Sequence, residues 1–169
     1  MGYRSQVGYV IAFQDNELGK ALFYTFLAEG KAKTETQLCF TEHNQVEVDE
    51  VKLRLVFEAP DVKWYDGYVD VDCHEALIAM AKEYCDLEEV RTNEANTKER
   101  VKYDAKYGHM TWDERVLQGV AMFMHESENI GYAFVRIGEE ADDCDQKFGG
   151  WDEAQNIVQL SRVIDFNLE

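Results

Sequence analysis

The pattern of apolar and polar residues predicts a strand followed by a helix at the start of the chain. Residues 6–14 are almost entirely apolar and rich in β-branched and aromatic side chains, which predicts a strand. A helix should follow, with Asp15 or Asn16 as its N-cap and Gly30 just past its C-cap. The apolar positions four residues apart, which should line its buried face, are Leu18, Leu22 and Phe26.

Between residues 36 and 65 the pattern changes to a period of two, which predicts extended strands. The alternating apolar positions are Leu38 and Phe40 before a turn at 43–45, and Leu53, Leu55 and Phe57 after it. Pro60 should end this ladder because proline has no N–H to donate. A turn is then predicted at Asp66–Gly67.

Two capping boxes, Asp72 with Glu75 and Thr111 with Glu114, predict the starts of two more helices. Their expected buried stripes are Leu77, Ile78, Ala81, Tyr84 and Cys85 in the first, and Val116, Leu117, Val120, Phe123 and Met124 in the second. Because the acids at 83–89 would oppose the dipole at a helix C-terminus, the first helix should either continue beyond them or fray there. The polar segment 91–110 is either an exposed helix or a loose excursion, and Gly108 should stop it.

The C-terminal part of the chain is predicted to form a β-meander. Residues 132–137 and 157–164 are rich in β-branched and apolar side chains, with turn residues between them, and 144–148 is a candidate middle strand. Because the strands occur in adjacent pairs, the predicted fold is α+β, with a largely antiparallel sheet and helices packed on one face. The length of 169 residues and the absence of a linker predict a single globular domain over residues 1–169.

The net charge of -17 and the sequence pI near 4.5 restrict the classes of partner. Direct binding to a nucleic-acid backbone or to an anionic membrane is disfavoured, because both need a positive surface. A basic protein surface, above all one that binds nucleic acid, would instead be attracted. The alternative is that the charge only keeps the protein soluble.

The sequence contains no established catalytic motif. The phosphate-binding motifs GxxxxGK[ST] and GxGxxG and the nucleophile motif GxSxG do not occur. No second histidine follows His74-Glu75 or His125-Glu126 at the zincin spacing. We therefore predict no cofactor and no catalytic residue. Asp70, Asp72 and His74 alternate and would share one face of an extended segment, where they could ligate a cation. The alternative is that Asp72 caps a helix and its neighbours are solvated.

The four cysteines are widely spaced and predict neither a disulfide framework nor a zinc motif. Cys39, Cys73 and Cys85 lie within apolar patterns, where a thiol is usually buried and inert. Cys144 lies among carboxylates, which should raise its pKa and weaken it as a nucleophile. Residues 7–13 are too short a run to span a membrane and lack the features of a signal peptide, so a reducing cytoplasm is expected.

Three acidic clusters, at 42–50, 83–89 and 139–153, are the strongest functional signal in the sequence. Carboxylates mixed with aromatic residues provide both long-range attraction and a few apolar anchors for a protein partner. The last cluster is the predicted partner-binding site, and its residues are Glu139, Glu140, Asp142, Asp143, Asp145, Phe148, Trp151, Asp152 and Glu153. A solvated loop is the alternative for each cluster taken alone.

Several short segments resemble small uncharacterised acidic proteins of tailed bacteriophages that begin MGYRS. These segments are Gly2-Tyr3-Arg4-Ser5, Val62-Lys63-Trp64-Tyr65, Phe134-Val-Arg-Ile-Gly-Glu139 and Ser161-Arg162. The resemblance implies a viral origin and a place in the host cytoplasm, and small acidic phage proteins often resemble inhibitors of host defence, including anti-CRISPR proteins and DNA mimics. The expected function is therefore inhibition of a host nucleic-acid-handling protein. The alternative is a small metal-dependent enzyme or ligand-binding protein.

Overall fold

The computed structural model describes residues 4–140, 142–160 and 164–166, which form seven strands and four α-helices. The strands are β1 (Ser5–Phe13), β2 (Glu47–Asp49), β3 (Arg54–Val62), β4 (Ile130–Ile137), β5 (Cys144–Gly150), β6 (Val158–Leu160) and β7 (Ile164–Phe166). The helices are α1 (Glu17–Ala32), α2 (Val69–Tyr107), α3 (Trp112–Leu117) and α4 (Asp152–Gln155), and a short 3-10 helix covers Gln37–Phe40.

Five strands make one antiparallel sheet in the order β2-β3-β1-β4-β5, which confirms the predicted α+β class. The hairpin of β4 and β5 confirms the first two strands of the expected C-terminal meander. The third expected strand, 157–164, does not join this sheet, because β6 pairs with β7 in a separate two-stranded sheet. Residues 161–163 of that segment lie outside the described residues.

The central strand β1 has a core on each of its two faces. On one face Tyr9 and Phe13 pack against α1 and α2, whose contributions include Phe26 and Leu77. On the other face Val10 and Ala12 pack with β4, and α4 and β6 cover them through Ala154 and Val158. The two long helices therefore lie on one face, as predicted, while a short helix and a short strand close the other.

The helix α1 begins as predicted but ends later, and its buried face is only partly the predicted one. Asn16 is the N-cap, and its side-chain oxygen accepts a hydrogen bond from the Gly19 N–H at 2.7 Å. Gly30 does not follow the C-cap; it lies inside the helix, where an added Cβ would meet the ring of Phe40 at 3.0 Å. Phe26 is buried and Leu22 packs against the core, as predicted, whereas Leu18 is exposed and Phe23 and Leu27 complete the buried face.

Two strand predictions in the region 36–65 are wrong in detail. The positions Leu38 and Phe40 belong to the 3-10 helix, which turns Cys39 into the core between them. Pro60 does not end β3, which continues to Val62. The register with β1 shifts between Val7 and Ser5, so one extra residue of β3 forms a bulge that accommodates the proline.

The helix α2 begins three residues before the predicted position and is far longer than an average helix. Asp72 is not its cap; the Asp72 carboxylate accepts the Gly67 N–H at 3.1 Å, and Glu75 accepts from Trp64 Nε1 at 3.3 Å. Its 39 residues span about 58 Å, whereas a nine-residue strand of this sheet spans about 30 Å. Buried positions of α2 stop at Thr92, so the remainder extends beyond the sheet.

This remainder, with α3 and the segment up to residue 126, is called the arm (residues 93–126). Tyr103 packs on Phe123 with ring centroids 5.7 Å apart and donates to the Ala121 carbonyl at 3.0 Å. Thr111 caps α3 as predicted, by accepting the Glu114 N–H at 3.2 Å. The buried stripe predicted for this helix is wrong, since α3 has only six residues and Leu117 is 86% exposed. Among the described residues no helix is long and apolar enough to cross a membrane.

Candidate functional site

The predicted partner-binding residues do not form one cluster, because β5 separates them into two groups. Glu139, Glu140, Asp142, Asp143 and Asp145 lie around the β4–β5 turn, and Asp152 and Glu153 lie beyond the other end of β5. The seven residues of β5 span about 20 Å. Exposed charges are screened over about 8–10 Å at physiological ionic strength, so the two groups act as separate patches.

The group at the β4–β5 turn is partly neutralised, because Arg136 pairs with two of its five carboxylates. Arg136 Nη2 lies 2.7 Å from Asp143 Oδ1, and Arg136 Nε donates to Asp145 Oδ2 at 3.0 Å. These carboxylates raise the pKa of the Arg136 guanidinium above its ordinary value, mainly through the hydrogen bond to Asp143. The backbone N–H of Arg4 donates to Glu139 at 2.7 Å. This turn therefore offers a partner less negative charge than its sequence suggests.

The two predicted aromatic anchors differ in exposure. Phe148 is 58% exposed on β5, the edge strand of the sheet. Trp151 is half-buried and packs against the second core, beside Ala154 and Val158. Only Phe148 thus keeps most of its surface available to a partner.

Carboxylates from all three sequence clusters lie at the opposite end of the sheet, with those at 49–50 and those at 152–153 near its two outer strands, β2 and β5. There the C-terminus of β1 pairs with the starts of β3 and β4, and the C-terminus of β5 pairs with the start of β4. The antiparallel order therefore brings together the β1–α1 connection, the β2–β3 turn, the segment before β4 and the start of α4. Midway along its length, α2 passes the same end, where Glu88 bonds to Asn129 at 3.2 Å.

We call this surface the acidic end. Its acids are Asp15, Glu17, Asp49, Glu50, Glu88, Glu89, Glu126, Glu128, Asp152 and Glu153. The cations among them are Lys20, Lys52, Arg54 and Arg91, so ten carboxylates face four cations and the net charge is -6.

The pKa of Glu128 reports how closely these charges approach one another. Burial raises this pKa first, and the charges of Glu89, Glu88 and Asp152 raise it further. These residues come from three places in the chain: α2, the segment before β4, and the start of α4. Glu128, Glu89, Glu88 and Asp152 therefore form one group of neighbouring carboxylates at the acidic end.

A buried ion pair fixes α2 to this end of the sheet. Glu88, only 5% exposed, accepts from Arg91 at 2.7 and 3.1 Å and from Asn129 at 3.2 Å. Arg91 also donates to Glu126 at 2.7 Å. Burial raises the pKa of Glu88, but the hydrogen bonds from Arg91 and Asn129 outweigh it, and the net pKa lies below the ordinary value. Glu88 therefore serves the structure, and its neighbours provide the exposed charge.

The predicted cation ligands Asp70, Asp72 and His74 do not form one group, although Asp70 and His74 line the same pocket. Asp70 accepts from the Asn44 side chain at 2.8 Å and Asp72 from the Gly67 backbone. His74 is buried, and its Nδ1 lies 2.6 Å from Tyr9 Oη. Within the described parts of the chain, the group with metal-ligating spacing is instead Cys39, Cys73 and His74.

This group was missed because the sequence separates Cys39 from the Cys73-His74 pair, and a lone buried cysteine is usually inert. The adjacent cysteine and histidine were its only local sign. A pocket of about 450 Å³ lies alongside His74 and is lined by Phe57, Trp64 and Asp70, with Arg4 and Lys63 among its polar residues. It opens near the start of β1, away from the acidic end.

No protein-family model, curated protein or solved structure matches this chain. The resemblance to proteins of tailed bacteriophages therefore stays a prediction. Part of the resemblance rests on residues outside the described ones, namely Gly2, Tyr3, Ser161 and Arg162.

Proposed function

We propose that this protein binds a basic, nucleic-acid-binding surface of another protein through its acidic end and thereby inhibits that partner. The proposal keeps the type of partner predicted from the sequence, a host nucleic-acid-handling protein. It changes the binding surface, from the β4–β5 region to the end of the sheet where α2 passes. A phage origin and an anti-defence role, including an anti-CRISPR role, belong to the same proposal.

The observation that carries this proposal is the convergence of carboxylates from distant parts of the chain on one surface. Glu89, Glu128 and Asp152 come from α2, from the segment before β4 and from the start of α4, and their charges act on one another. Maintaining mutually repelling charges at one place lowers the stability of the folded chain. A surface that recognises a cationic partner gives such an arrangement a use, because complementary charge steers association and selects the partner.

Two apolar side chains near Glu89 in α2, Leu87 and Val90, are exposed, but at about 100° per residue they leave the helix in directions different from that of Glu89. Charge is therefore the main means of recognition that the acidic end offers, and it acts chiefly on the association rate and on the choice of partner. Carboxylates fit a partner whose basic groups normally contact phosphates, so the acidic end would compete with nucleic acid for that site.

The test compares two triple variants that remove the same amount of charge. The first, Glu89→Gln with Glu128→Gln and Asp152→Asn, neutralises the acidic end. The matched control, Glu139→Gln with Glu140→Gln and Asp142→Asn, neutralises the β4–β5 turn. The probe is the set of bacterial proteins retained on heparin, and the assay is displacement of labelled duplex DNA from each protein that the immobilised chain captures.

We expect the wild-type chain and the control to displace the DNA, and the acidic-end variant to be weakened about 10- to 100-fold. This corresponds to about 0.5–1 kcal/mol for each of three exposed charges. Capture should also decline as salt is raised. The proposal is refuted if no captured protein releases its DNA, if capture is insensitive to salt, or if the control variant loses as much affinity as the acidic-end variant.

A second candidate function is ligand binding at the pocket beside His74. The observation that favours it is the pocket of about 450 Å³ that His74 and its neighbours line. The pocket has an aromatic wall formed by Phe57 and Trp64 and charged groups from Arg4, Lys63 and Asp70. This combination is typical of a small-molecule site. Loss of ligand binding in His74→Phe, with DNA displacement unchanged, would assign this function separately from the first.

A further inference from the structure

Two thiols and one imidazole meet in the core at a place that neither the acidic end nor its proposed partner uses. Cys39 comes from the 3-10 helix, and Cys73 and His74 come from the beginning of α2. All three side chains are buried. One donor atom from each lies within 4.8 Å of the other two. The chain separates Cys39 from Cys73 by 33 intervening residues, so only the tertiary structure creates this group.

The imidazole of His74 has a polar atom that the protein leaves unsatisfied. Tyr9 engages Nδ1, with its hydroxyl oxygen 2.6 Å away, and Nε2 is buried with no partner in the described chain. A buried polar atom without a partner costs about 1–3 kcal/mol. Phe57 stacks on the ring at 4.0 Å between centroids, which leaves little freedom for the ring to reorient. The neighbouring residues therefore fix the imidazole in place, and its Nε2 atom has no partner in the described chain.

The hydrogen bonds of the group do not prevent metal binding. Cys73 Sγ donates to the Asp70 backbone carbonyl at 3.1 Å, and this proton would be released when the sulfur binds a cation.

We propose that Cys39, Cys73 and His74 bind a borderline-soft divalent metal cation of the zinc type. Two sulfurs and one imidazole nitrogen are the donors that Zn²⁺ prefers, and they disfavour Mg²⁺ and Ca²⁺, which take oxygen ligands. No fourth side chain among the described residues belongs to the group, so water or an added ligand completes the coordination. Tyr9 acts as a positioning residue because its hydroxyl holds the imidazole.

Binding of the metal would join the 3-10 helix to the start of α2. The 3-10 helix follows α1; Cys39 is its buried residue, and Leu38 and Phe40 pack against the core while partly exposed. A cation held by Cys39 on one side and by Cys73 and His74 on the other crosslinks the two segments. Because the ligands are assembled only in the folded chain, the free energy of binding adds to the free energy of unfolding.

The experiment uses the untagged full chain, reduced with a phosphine and freed of metal by a chelator. Co²⁺ is titrated in and followed by its thiolate charge-transfer absorption, and Zn²⁺ is then added in competition. Metal content is measured on the dialysed protein. We expect one Co²⁺ per chain, displacement by Zn²⁺, and unfolding at a higher urea concentration in the presence of Zn²⁺.

Matched variants identify the ligands. Cys39→Ala, Cys73→Ala and His74→Phe should each weaken Zn²⁺ binding by more than about 100-fold, since even loss of a positioning group such as the Tyr9 hydroxyl costs about 10- to 100-fold. Cys85→Ala is the control, because this thiol is equally buried but lies outside the group. Circular dichroism of the metal-free proteins verifies that each variant is folded, and an unfolded variant is replaced by the corresponding serine or glutamine.

Several outcomes would overturn the proposal. It is overturned if the reduced chain takes up no Co²⁺, or if Cys39→Ala keeps the Zn²⁺ affinity of the wild type. An equal loss of Zn²⁺ affinity in Cys85→Ala and in Cys39→Ala would also contradict the proposal. A disulfide between Cys39 and Cys73 in the protein isolated without reductant, together with no metal binding after reduction, would mean that the pair has a redox role instead. The acidic-end triple variant should bind Zn²⁺ like the wild type, so failure here is distinguishable from failure of the proposed function.

Discussion

Removing the positive partner of Glu88 should destabilise the folded protein more than removing any exposed cation of α2. In Arg91→Met, the buried Glu88 carboxylate loses two hydrogen bonds, of 2.7 and 3.1 Å, and keeps the one from Asn129 at 3.2 Å. Breaking a fully buried ion pair from one side costs about 3–5 kcal/mol. The Arg91 side chain is 35% exposed, so water can partly replace it, and we expect a loss of about 2–3 kcal/mol.

Urea denaturation followed by circular dichroism measures this loss, and Lys82→Met is the control. Lys82 also pairs with an acid on α2, Asp86, at the same shortest distance of 2.7 Å, but both side chains are exposed. Exposed pairs contribute about 0–1 kcal/mol, so the control should change the free energy of unfolding little. The double variant Arg91→Met with Glu88→Gln should recover about 1–2 kcal/mol, because no buried charge remains.

The loss should depend on pH in a defined direction. The folded pKa of Glu88 lies below its ordinary value, so the pair stabilises the protein above the unfolded pKa of about 4.3, and this stabilisation disappears as the pH falls through the folded pKa. In Arg91→Met, Glu88 loses the hydrogen bonds that counteract the effect of burial, so the pKa of Glu88 should rise. The difference between wild type and variant should therefore shrink from about pH 7 to about pH 3.5. Equal stability of Arg91→Met and Lys82→Met at neutral pH, or a difference that grows in acid, would refute this account.

Two further substitutions test the packing at the acidic end and on the arm. Gly131→Ala should cost about 1–3 kcal/mol, since the new Cβ would lie 2.5 Å from the Trp151 carbonyl oxygen and α4 would have to move. Tryptophan fluorescence during denaturation measures the loss, and an unchanged midpoint would contradict the packing. Leu117→Ser should change the free energy of unfolding by less than about 0.5 kcal/mol, because its side chain already faces water. A loss comparable to that from Leu77→Ala, about 2–5 kcal/mol in the core, would show that Leu117 is covered.

The elements that could be predicted from the sequence are those whose own pattern determines them. The apolar run of β1 and the Asn16 cap of α1 act locally, and both occur as expected. The hairpin of β4 and β5 also follows from adjacent strands with a turn between them. The acids at 83–89 were expected to oppose the dipole at a helix C-terminus, so that α2 would either continue beyond them or fray there. The helix continues beyond them to its C-cap, Gly108.

Predictions failed where the side chain's surroundings, rather than its spacing, decide the result. The apolar residues from Val116 to Met124 have helical spacing, yet the helix stops at Leu117 and Gly119 turns the chain at a positive φ of 69°. Spacing indicates which residues would share a face, but it does not supply an element for that face to pack against. The prediction that Gly30 follows the C-cap of α1 failed because of a tertiary contact: the glycine lies inside the helix and makes room for the ring of Phe40.

The acidic end could not be predicted because it depends on strand order, which local patterns do not contain. Glu89 and Asp152 are 63 positions apart in the sequence, and each lies within a cluster that could equally be a solvated loop. They become neighbours of Glu128 because β5 runs antiparallel to β4 and ends where β4 begins. A different order of the same strands would leave the charge of -17 unchanged and disperse these carboxylates. Net charge therefore restricts the class of partner, whereas the topology of the sheet determines which surface can bind it.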